Sequence, residues 1–465
     1  MFSKTKRVVE NDPDREVSLV KRAVLFVLLL VMVLAAAGIA APAPKPLVAD
    51  QMLFSYVNAP DPSYKWENGP EQDKGLYTVT DILLTSQTWH NLTWRHLLRI
   101  YRPKEVAYPG WMGLYITGAD GEPKIGQSME DEMLGIMVCQ AFRAPLAILY
   151  HVPKQPIFDG KVEDQIISYT FAQFLKDGDP TWPLLFPMAK SAVRALDTLQ
   201  AFTKREWKQD INSFLVFGGS KRGWTTWMTA AVDGGKRVKA IAPAVIDTLN
   251  MPKQLPHQLE MWGAYSVMID DYTSKGLQNM FGSERGQILW KAVDPYTYRA
   301  RFTMPKLLLL GSNDPYWATD ALNFYWDDLP APKWVLYDPN SGHGLDDIQR
   351  VVNTLGAYFR TIAGGKQMPQ ISWRRQVEGD AAVISITAPA AKGARGWVAT
   401  ADNLDFRPQR WVEVPATGEG GNFTIRVPRP QGKNIAVFGE VDFEADGMPY
   451  TLSTQNIIVK KPAGQ

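Results

Sequence analysis

A serine flanked by glycines follows a short apolar run near the middle of the chain. Residues 218–223 read GGSKRG, and residues 213–217 before them read SFLVF. A serine on a tight turn between a buried strand and a helix holds its hydroxyl clear of the backbone, where it can act as a nucleophile. The helix that follows places backbone N–H groups beside a developing oxyanion. Ser220 is therefore the candidate nucleophile.

The motif departs from the usual G-x-S-x-G pattern. Arg222 stands two places after the serine, and Gly223 follows one place later. A glycine-rich turn whose serine only caps the next helix is the alternative interpretation. The side chains of Lys221 and Arg222 are candidates to attract an acidic substrate. Ion pairs with the body of the protein are the competing expectation for at least one of them.

A serine hydroxyl needs a general base, and a histidine is the expected one. In α/β-hydrolases the chain order is serine, acid, histidine, and of the five histidines only His257 and His343 follow Ser220. His343 lies on a glycine-flanked loop between a predicted buried strand and a helix, whereas His257 falls in an irregular stretch. His343 is therefore the predicted base, and a solvated loop histidine is the alternative.

The acid is expected after the strand that precedes the histidine loop. Residues 306–310 are an apolar run that leads into Asp314, where a carboxylate can orient the imidazole and stabilise its charged form. Asp247, at the end of the apolar run 238–245, is the rival. An ordinary turn at Asn313-Asp314-Pro315 is the alternative for Asp314, because that tripeptide suits a turn.

Other groups are predicted around this triad. The backbone N–H of Lys221 and a donor near Gly118 or Ala119, after the predicted strand 113–117, are the expected oxyanion hole. The candidate substrate contacts are Arg222, Trp262, Tyr316 and Trp317. Together these residues predict acyl transfer to water with no cofactor. We expect no metal, since the His and Cys residues show no zinc-binding spacing, and the single cysteine, Cys139, lies in an apolar stretch.

The elements that must position these residues follow an α/β rhythm. Apolar runs typical of buried strands alternate with predicted helices, which implies a doubly wound, mostly parallel sheet over residues 42–365. The runs are 214–217, 238–245, 306–310 and 334–337, and the helices are 186–203, 223–232 and 346–362. Residues 248–304 interrupt the rhythm and are predicted to be a helical insertion, acting either as a lid or as plain packing helices.

From residue 366 to 465 the pattern changes to short alternating segments separated by Gly, Pro, Asn and Asp, which predicts an all-β, sandwich-like domain.

The amino terminus carries an export pattern. Residues 1–22 are polar and end in Lys21-Arg22, and residues 23–41 are uncharged, apolar and rich in alanine. This arrangement predicts a signal peptide or signal anchor over residues 1–41. We therefore expect an exported protein, either periplasmic or secreted, with an inner-membrane anchor through residues 23–41 as the alternative to cleavage. The net charge of +2 and the lack of a clustered basic face argue against a nucleic-acid partner.

Several motifs resemble those of the PhoPQ-activated pathogenicity-related family of bacterial exported proteins, and the resemblance covers nearly all of the chain after the export segment. The resemblance implies an α/β-hydrolase core and a β-rich carboxyl-terminal region, and it is compatible with the triad without fixing a substrate. The motifs are YVN (56–58), DPSYKWE (61–67), LTSQTW (84–89), PMAKS (187–191), GSKRGWTTW (219–227) and DPY (314–316).

The sequence thus predicts an exported serine hydrolase acting on an ester or peptide bond of a small-molecule or peptide substrate. The rival hypothesis is a catalytically inactive hydrolase-fold protein that binds or signals in the cell envelope, and Arg222 in the serine motif keeps that hypothesis open.

Overall fold

The structure is a computed structural model of the chain, and it describes Val17 and residues 47–462. The predicted export segment, residues 23–41, lies outside the described residues. Within the described part of the chain, no helix is both long enough and apolar enough to cross a bilayer. The residues from Val48 onward form one compact unit.

A large mixed sheet forms the centre of this unit. Its first strands lie in the order β1-β3-β4-β6-β5-β7-β8-β9-β10, with β2 paired to β3, and the run from β6 to β10 is parallel throughout. The strands are β1 (Lys65–Asn68), β2 (Gln72–Asp73), β3 (Tyr77–Trp89), β4 (Leu92–Pro103), β5 (Trp111–Ile116), β6 (Leu146–Leu149), β7 (Ser213–Gly219), β8 (Val238–Ala244), β9 (Lys306–Gly311) and β10 (Lys333–Asp338).

Continuous apolar sequence explains the parallel run. All six residues of β9 are buried, as are the five inner residues of β7. Parallel strands covered on both faces need such runs, whereas half-exposed strands alternate. The mixed α/β class and the mostly parallel central sheet predicted from the sequence are therefore confirmed.

Helices cover this sheet. The described helices are α1 (Ala49–Asn58), α2 (Glu132–Phe142), α3 (Glu163–Asp177), α4 (Leu185–Phe202), α5 (Lys221–Asp233), α6 (Met251–Trp262), α7 (Asp270–Thr273), α8 (Glu284–Val293) and α9 (Ile348–Ala363). Helix α2 packs on α9, where the rings of Phe142 and Phe359 stack with centroids 4.1 Å apart, and α4 packs on α1 and α5. Helix α9 ends before Gly365, whose positive φ of 69° allows the chain to turn away.

The chain order places a topological switch at the centre of the sheet. From β5 the chain moves to β6 on one side, and it returns as β7 on the other side of β5. Loops at the carboxyl ends of strands on either side of such a switch diverge and leave a crevice, which is where ligands bind in open α/β sheets. The loop of Ser220 follows β7 and therefore opens onto this crevice.

The stretch between β8 and β9 is helical, as the sequence predicts. It contains α6, α7 and α8 together with 3₁₀ segments at Val267–Ile269, Leu277–Gly282 and Pro295–Arg301. We refer to residues 248–304 as the insertion.

The carboxyl-terminal residues form antiparallel strands that belong to two sheets. Strands β13, β14, β17, β18 and β19 extend the large sheet through Val335 of β10, which pairs with Ser453 of β18, while β11, β12, β15 and β16 form a separate four-stranded sheet. The domain boundary proposed at residue 365 stays a prediction. The strands are β11 (Ser372–Glu378), β12 (Ala381–Thr387), β13 (Gly393–Ala401), β14 (Val412–Pro415), β15 (Thr417–Glu419), β16 (Asn422–Pro428), β17 (Asn434–Ala445), β18 (Met448–Ser453) and β19 (Ile457–Val459).

Candidate active site

Ser220 lies on the turn between β7 and α5 in a backbone conformation that is rare for a residue with a side chain. Its φ is 56° and its ψ is −127°, and its N–H donates to the carbonyl of Ala244 on the neighbouring strand at 2.9 Å. Residues other than glycine rarely take a positive φ, and when they do the surrounding structure holds them there. Such a strained strand-to-helix turn is the geometry that exposes a nucleophilic serine.

The glycines around the serine allow close packing of this turn. A Cβ on Gly223 would lie 2.8 Å from the carbonyl oxygen of Ala244 and 2.9 Å from that of Gly218. A Cβ on Gly218 would lie 2.9 Å from the Cβ of Arg222. Gly218 therefore leaves room for Arg222, and Gly223 makes the close helix-to-strand contact.

His343 and Asp314 are paired in the structure. Nδ1 of His343 lies 2.8 Å from Oδ2 of Asp314, and the other carboxylate oxygen accepts the backbone N–H of Tyr316 at 2.8 Å. Both loops leave the carboxyl ends of adjacent parallel strands, β9 and β10. A carboxylate at Nδ1 directs Nε2 away from itself, which is the arrangement a general base needs.

Asp247, the rival acid, has a different partner. Its carboxylate accepts the hydroxyl of Tyr325 at 2.5 Å and is fully buried. Burial, together with the nearby charge of Asp314, raises the pKa of Asp247 to about 7. The carboxylate that touches the imidazole is that of Asp314.

Close backbone contacts join the loop that carries Asp314 to the loop that carries His343. The N–H of Asn313 donates to the carbonyl of Ser341 at 2.9 Å. A Cβ on Gly311 would lie 2.1 Å from the carbonyl oxygen of Gly342. Only glycine fits at that position without displacing the histidine loop.

Residues of the carboxyl-terminal region form hydrogen bonds with the loop that carries Asp314. The side-chain amide of Asn313 donates to the carbonyls of Arg407 at 2.9 Å and Gln409 at 2.7 Å. Trp411 then exchanges two hydrogen bonds with the side chain of Asn340, at 2.7 and 3.0 Å. The segment 406–411 thus fixes both loops that carry the acid and the base.

Ser220 and His343 line the same cavity. Nε2 of His343 is buried and, within the described residues, has no hydrogen-bond partner, so the Ser220 hydroxyl is not hydrogen-bonded to it in this state. Catalytic hydrogen bonds are often long in ligand-free enzymes and shorten when substrate binds. Ser220 and His343 therefore share one cavity without a hydrogen bond between them.

The predicted oxyanion donors are only partly brought to the cavity. Lys221 begins α5, so its backbone N–H has no partner within the helix, and it lines the cavity. Gly118 and Ala119 are not among the residues that line it. Gly118 instead faces the guanidinium of Arg222, where an added Cβ would lie 2.2 Å from Nη2. The second donor predicted after β5 therefore does not reach the cavity in this structure.

The side chains of Lys221 and Arg222 are engaged by the protein. Nη1 and Nη2 of Arg222 lie 2.7 and 2.6 Å from the Glu163 carboxylate, and its Nε donates to the carbonyl of Val152. Nζ of Lys221 lies 2.8 Å from Glu163 and 3.2 Å from Asp164. The ion pairs given as the competing expectation are therefore present, and Arg222 is not among the residues that line the cavity.

Glu163 is an ionised carboxylate in this cluster. Burial alone would raise the pKa of Glu163, but the hydrogen bonds and charge of Arg222, with those of Lys221, outweigh burial and lower that pKa to about 2. No sequence motif near Glu163 indicates this role, since its partners are 58 and 59 positions away. Ion pairs of this range become visible only when the fold brings α3 to the start of α5.

The aromatic candidates separate into two groups. Tyr316 and Trp317 line the cavity, and the ring of Tyr316 lies over His343 with centroids 4.2 Å apart. Trp262 lies elsewhere, at the end of α6, with the guanidinium of Arg407 3.8 Å from its ring centroid. The expectation that Trp262 contacts substrate is therefore corrected, because its ring packs on the carboxyl-terminal region.

Three further cavity residues were not predicted from the sequence. Tyr272 donates its hydroxyl to Asp164 at 2.9 Å, and Trp224 donates its indole N–H to the carbonyl of Val293. Phe171 packs edge-on against Trp224 and in a tilted arrangement against Tyr272. Among residues 47–462, no group of three or more His, Cys, Asp or Glu side chains is placed to hold a metal ion.

The parallel sheet, with Ser220, Asp314 and His343 on loops at the carboxyl ends of its strands, gives the protein a hydrolase-like α/β fold. The chain belongs to the PhoPQ-activated pathogenicity-related protein family, whose family model matches residues 53–407. The family expected from the sequence motifs is therefore confirmed.

The known proteins similar to this chain include one relative by sequence and several solved structures of distant sequence. Autocrine proliferation repressor protein A of Dictyostelium discoideum is 33% identical over an alignment of 336 residues that covers 69% of this chain and 67% of that protein. An acetyl xylan esterase from Paenibacillus sp. R4 matches 63% of this chain and 87% of its own, with 14% identity and a TM-score of 0.43. An S-formylglutathione hydrolase from Agrobacterium tumefaciens matches 64% and 99%, with 12% identity and a TM-score of 0.41. Likenesses this distant do not specify a reaction.

Proposed function

We propose that this protein is an exported serine hydrolase that cleaves an ester or peptide bond by acyl transfer to water. The observation that carries the proposal is the backbone of Ser220, whose φ of 56° and ψ of −127° present a serine at the carboxyl edge of the sheet, in one cavity with a carboxylate-paired imidazole. Strain of this kind is seldom retained where a serine only caps a helix.

In the proposed mechanism, the Ser220 hydroxyl attacks the substrate carbonyl while Nε2 of His343 takes its proton. Asp314 accepts the Nδ1–H of His343 and stabilises the imidazolium that forms. The N–H of Lys221 donates to the oxyanion of the tetrahedral intermediate. His343 then protonates the leaving group, and water, deprotonated by the same imidazole, releases the acyl group from Ser220.

Covalent labelling tests this proposal. The full chain is incubated with a fluorophosphonate probe beside Ser220→Ala and His343→Ala, and the labelled residue is identified by mass spectrometry. We expect labelling at Ser220 in the parent and none in either variant. Unlabelled parent protein that is shown to be folded by circular dichroism contradicts the proposal.

The second candidate is a catalytically inactive hydrolase-fold protein that binds a partner or signals in the cell envelope. It is favoured by the 33% identity to a protein named as an autocrine proliferation repressor. Arg222 in the serine motif is compatible with it as well. Absence of labelling in folded parent protein would favour this candidate.

The place of the protein in the cell is part of the proposal. The family match and the basic and apolar pattern of residues 1–41 favour export to the periplasm or medium, by a cleaved signal or an anchor. Amino-terminal sequencing of the protein from soluble and membrane fractions distinguishes the two.

A further inference from the structure

The cavity that contains Ser220 and His343 has walls that are almost wholly apolar. They come from six parts of the fold: helix α3, helix α5 with the serine turn before it, the loop after β8, the insertion, and the loops after β9 and β10. Apolar pockets of this kind gain most of their binding energy from removing apolar ligand surface from water. The apolar side chains that matter here are Phe171, Trp224, Ile246, Met251, Leu277 and Met280.

The polar side chains on the wall are largely satisfied by one another. Asp164 binds Lys221 and accepts the hydroxyl of Tyr272, and the amide of Gln254 donates to two backbone carbonyls. Charges next to the cavity balance, since Lys221 and Arg222 face Glu163 and Asp164. No surplus charge is therefore available to a charged substrate group.

Besides Nε2 of His343, two neutral side-chain atoms of wall residues are buried without a partner in the described part of the chain. They are Oε1 of Gln278 and Nε1 of Trp317. An amide oxygen and an indole N–H select hydrogen-bonding groups on a ligand without selecting charge. They do not alter the apolar character of the cavity.

A cluster of aromatic side chains, Phe171, Trp224 and Tyr272, forms one part of the cavity wall. Tyr272 is joined to Lys221 through Asp164, and Phe171 packs between Tyr272 and Trp224 at centroid distances of 6.3 and 6.4 Å. In the proposed mechanism the acyl group becomes bonded to Ser220, which lines the same cavity as these side chains. We therefore expect the apolar wall to contact the acyl group.

We propose that the site accepts a bulky, uncharged, apolar acyl group, either a medium-length or branched aliphatic chain or an aromatic group next to the scissile carbonyl. This proposal rests on the proposed hydrolase function and specifies its substrate class. Each methylene that enters such a pocket raises kcat/KM by about three- to tenfold until the pocket is filled. A charged acyl group is disfavoured, because its desolvation would not be compensated.

A series of p-nitrophenyl esters tests the acyl preference with the full chain. We expect kcat/KM to rise by at least about thirtyfold from acetate to hexanoate, and the hemisuccinate ester to react more slowly than acetate. Acylated phenylalanine p-nitroanilide, run in parallel, tells whether the same pocket also serves a peptide bond. A flat profile, or a preference for acetate or hemisuccinate, overturns this proposal if Ser220 is still labelled by fluorophosphonate. Loss of labelling would instead overturn the hydrolase function itself.

Variants on the insertion tie the preference to this cavity. Leu277→Trp fills the pocket and should lower the ratio of kcat/KM for hexanoate to kcat/KM for acetate about tenfold or more. Met280→Ala enlarges the pocket and should move the optimum towards longer chains. Val267→Trp is the matched control, because Val267 is in the same insertion and is 82% exposed, whereas Leu277 is 5% exposed. If Leu277→Trp and Met280→Ala both fold and leave the profile unchanged, the acyl group does not bind here.

Discussion

Replacement of Glu163 by glutamine is the most informative single change near the nucleophile. It leaves the side chain's shape intact but removes the charge that Arg222 and Lys221 share. Those two cations are 12% and 8% exposed, whereas Glu163 itself is about one-third exposed at 34%. Removing one partner of a fully buried pair costs about 3–5 kcal/mol, and an exposed pair contributes about 0–1 kcal/mol.

The structure places the cost of Glu163→Gln between these limits. Lys221 keeps Asp164 as a partner, and Arg222 keeps the carbonyl of Val152, so neither cation is left alone. We therefore expect the free energy of unfolding to fall by about 2 kcal/mol. Because Lys221 also supplies the proposed oxyanion N–H, a loosened first turn of α5 should slow fluorophosphonate labelling about 10- to 100-fold.

The pH dependence of this effect has a definite sign. The pKa of Glu163 is held at about 2, below its ordinary value of 4.5. A carboxyl with a lowered pKa stabilises the fold fully above its ordinary value, and this stabilisation is lost as the pH falls through 2. The difference in unfolding free energy between the parent and Glu163→Gln should therefore narrow between about pH 5 and pH 2.

Urea unfolding and labelling rates measure both effects. Glu378→Gln is the matched control, because Glu378 pairs with Arg426 at 2.5 Å on the surface, where the two side chains are 43% and 56% exposed. We expect the control to leave the free energy of unfolding unchanged within experimental error, because an exposed ion pair contributes little. If Glu163→Gln behaves like the control in stability and labelling, the cluster does not hold the serine turn.

Four more outcomes are expected. Asp314→Asn should slow labelling about 10⁴-fold, as loss of the triad carboxylate does elsewhere, whereas Asp247→Asn should change it less than about threefold. Burial raises the pKa of the Asp247 carboxyl from 3.8 to about 7, so this group stabilises the fold at low pH and loses that contribution as the pH rises through 7. In urea unfolding, Asp247→Asn should therefore stabilise the protein more at pH 8.5 than at pH 5. Asn313→Ala removes donors to two backbone carbonyls and should lower the free energy of unfolding by about 2 kcal/mol. The control Asn422→Ala, at an exposed position, should lower it by less than about 0.5 kcal/mol. Gly223→Ala should cost about 1–3 kcal/mol by the same measurement, because the new methyl group would lie 2.8 Å from a strand carbonyl oxygen.

Much of the fold and the central site could be predicted because their signals are local. The buried strand before Ser220 and the helix after it are visible as adjacent apolar and glycine-containing segments. Asp314 and His343 follow apolar runs that became neighbouring parallel strands, and parallel strands bring their carboxyl ends together. Chain order and strand ends were sufficient to predict that these two side chains approach one another.

The rest of the site depends on contacts between distant parts of the chain. Glu163 follows a loop with no distinguishing motif, and it meets Arg222 only because α3 packs beside the serine turn. Trp262 was predicted at the site because it lies in the insertion and is aromatic. The side of α6 on which a ring lies is decided by packing, and the ring contacts Arg407 instead. The hydrogen bonds from Asn313 to the carbonyls of Arg407 and Gln409 could not be predicted either, because they join segments that are far apart in the sequence.

The structure explains why Arg222 can stand where the G-x-S-x-G pattern has its second glycine. A glycine two places after a nucleophilic serine relieves crowding in the turn, and here the same space is provided by Gly218, whose missing Cβ faces the Cβ of Arg222. The close contact with the neighbouring strand moves one place on, to Gly223. The arginine side chain then extends outward to Glu163, with hydrogen bonds of 2.6 and 2.7 Å. An arginine at this position is therefore compatible with the serine conformation that hydrolysis requires, and its ion pair links the turn to helix α3.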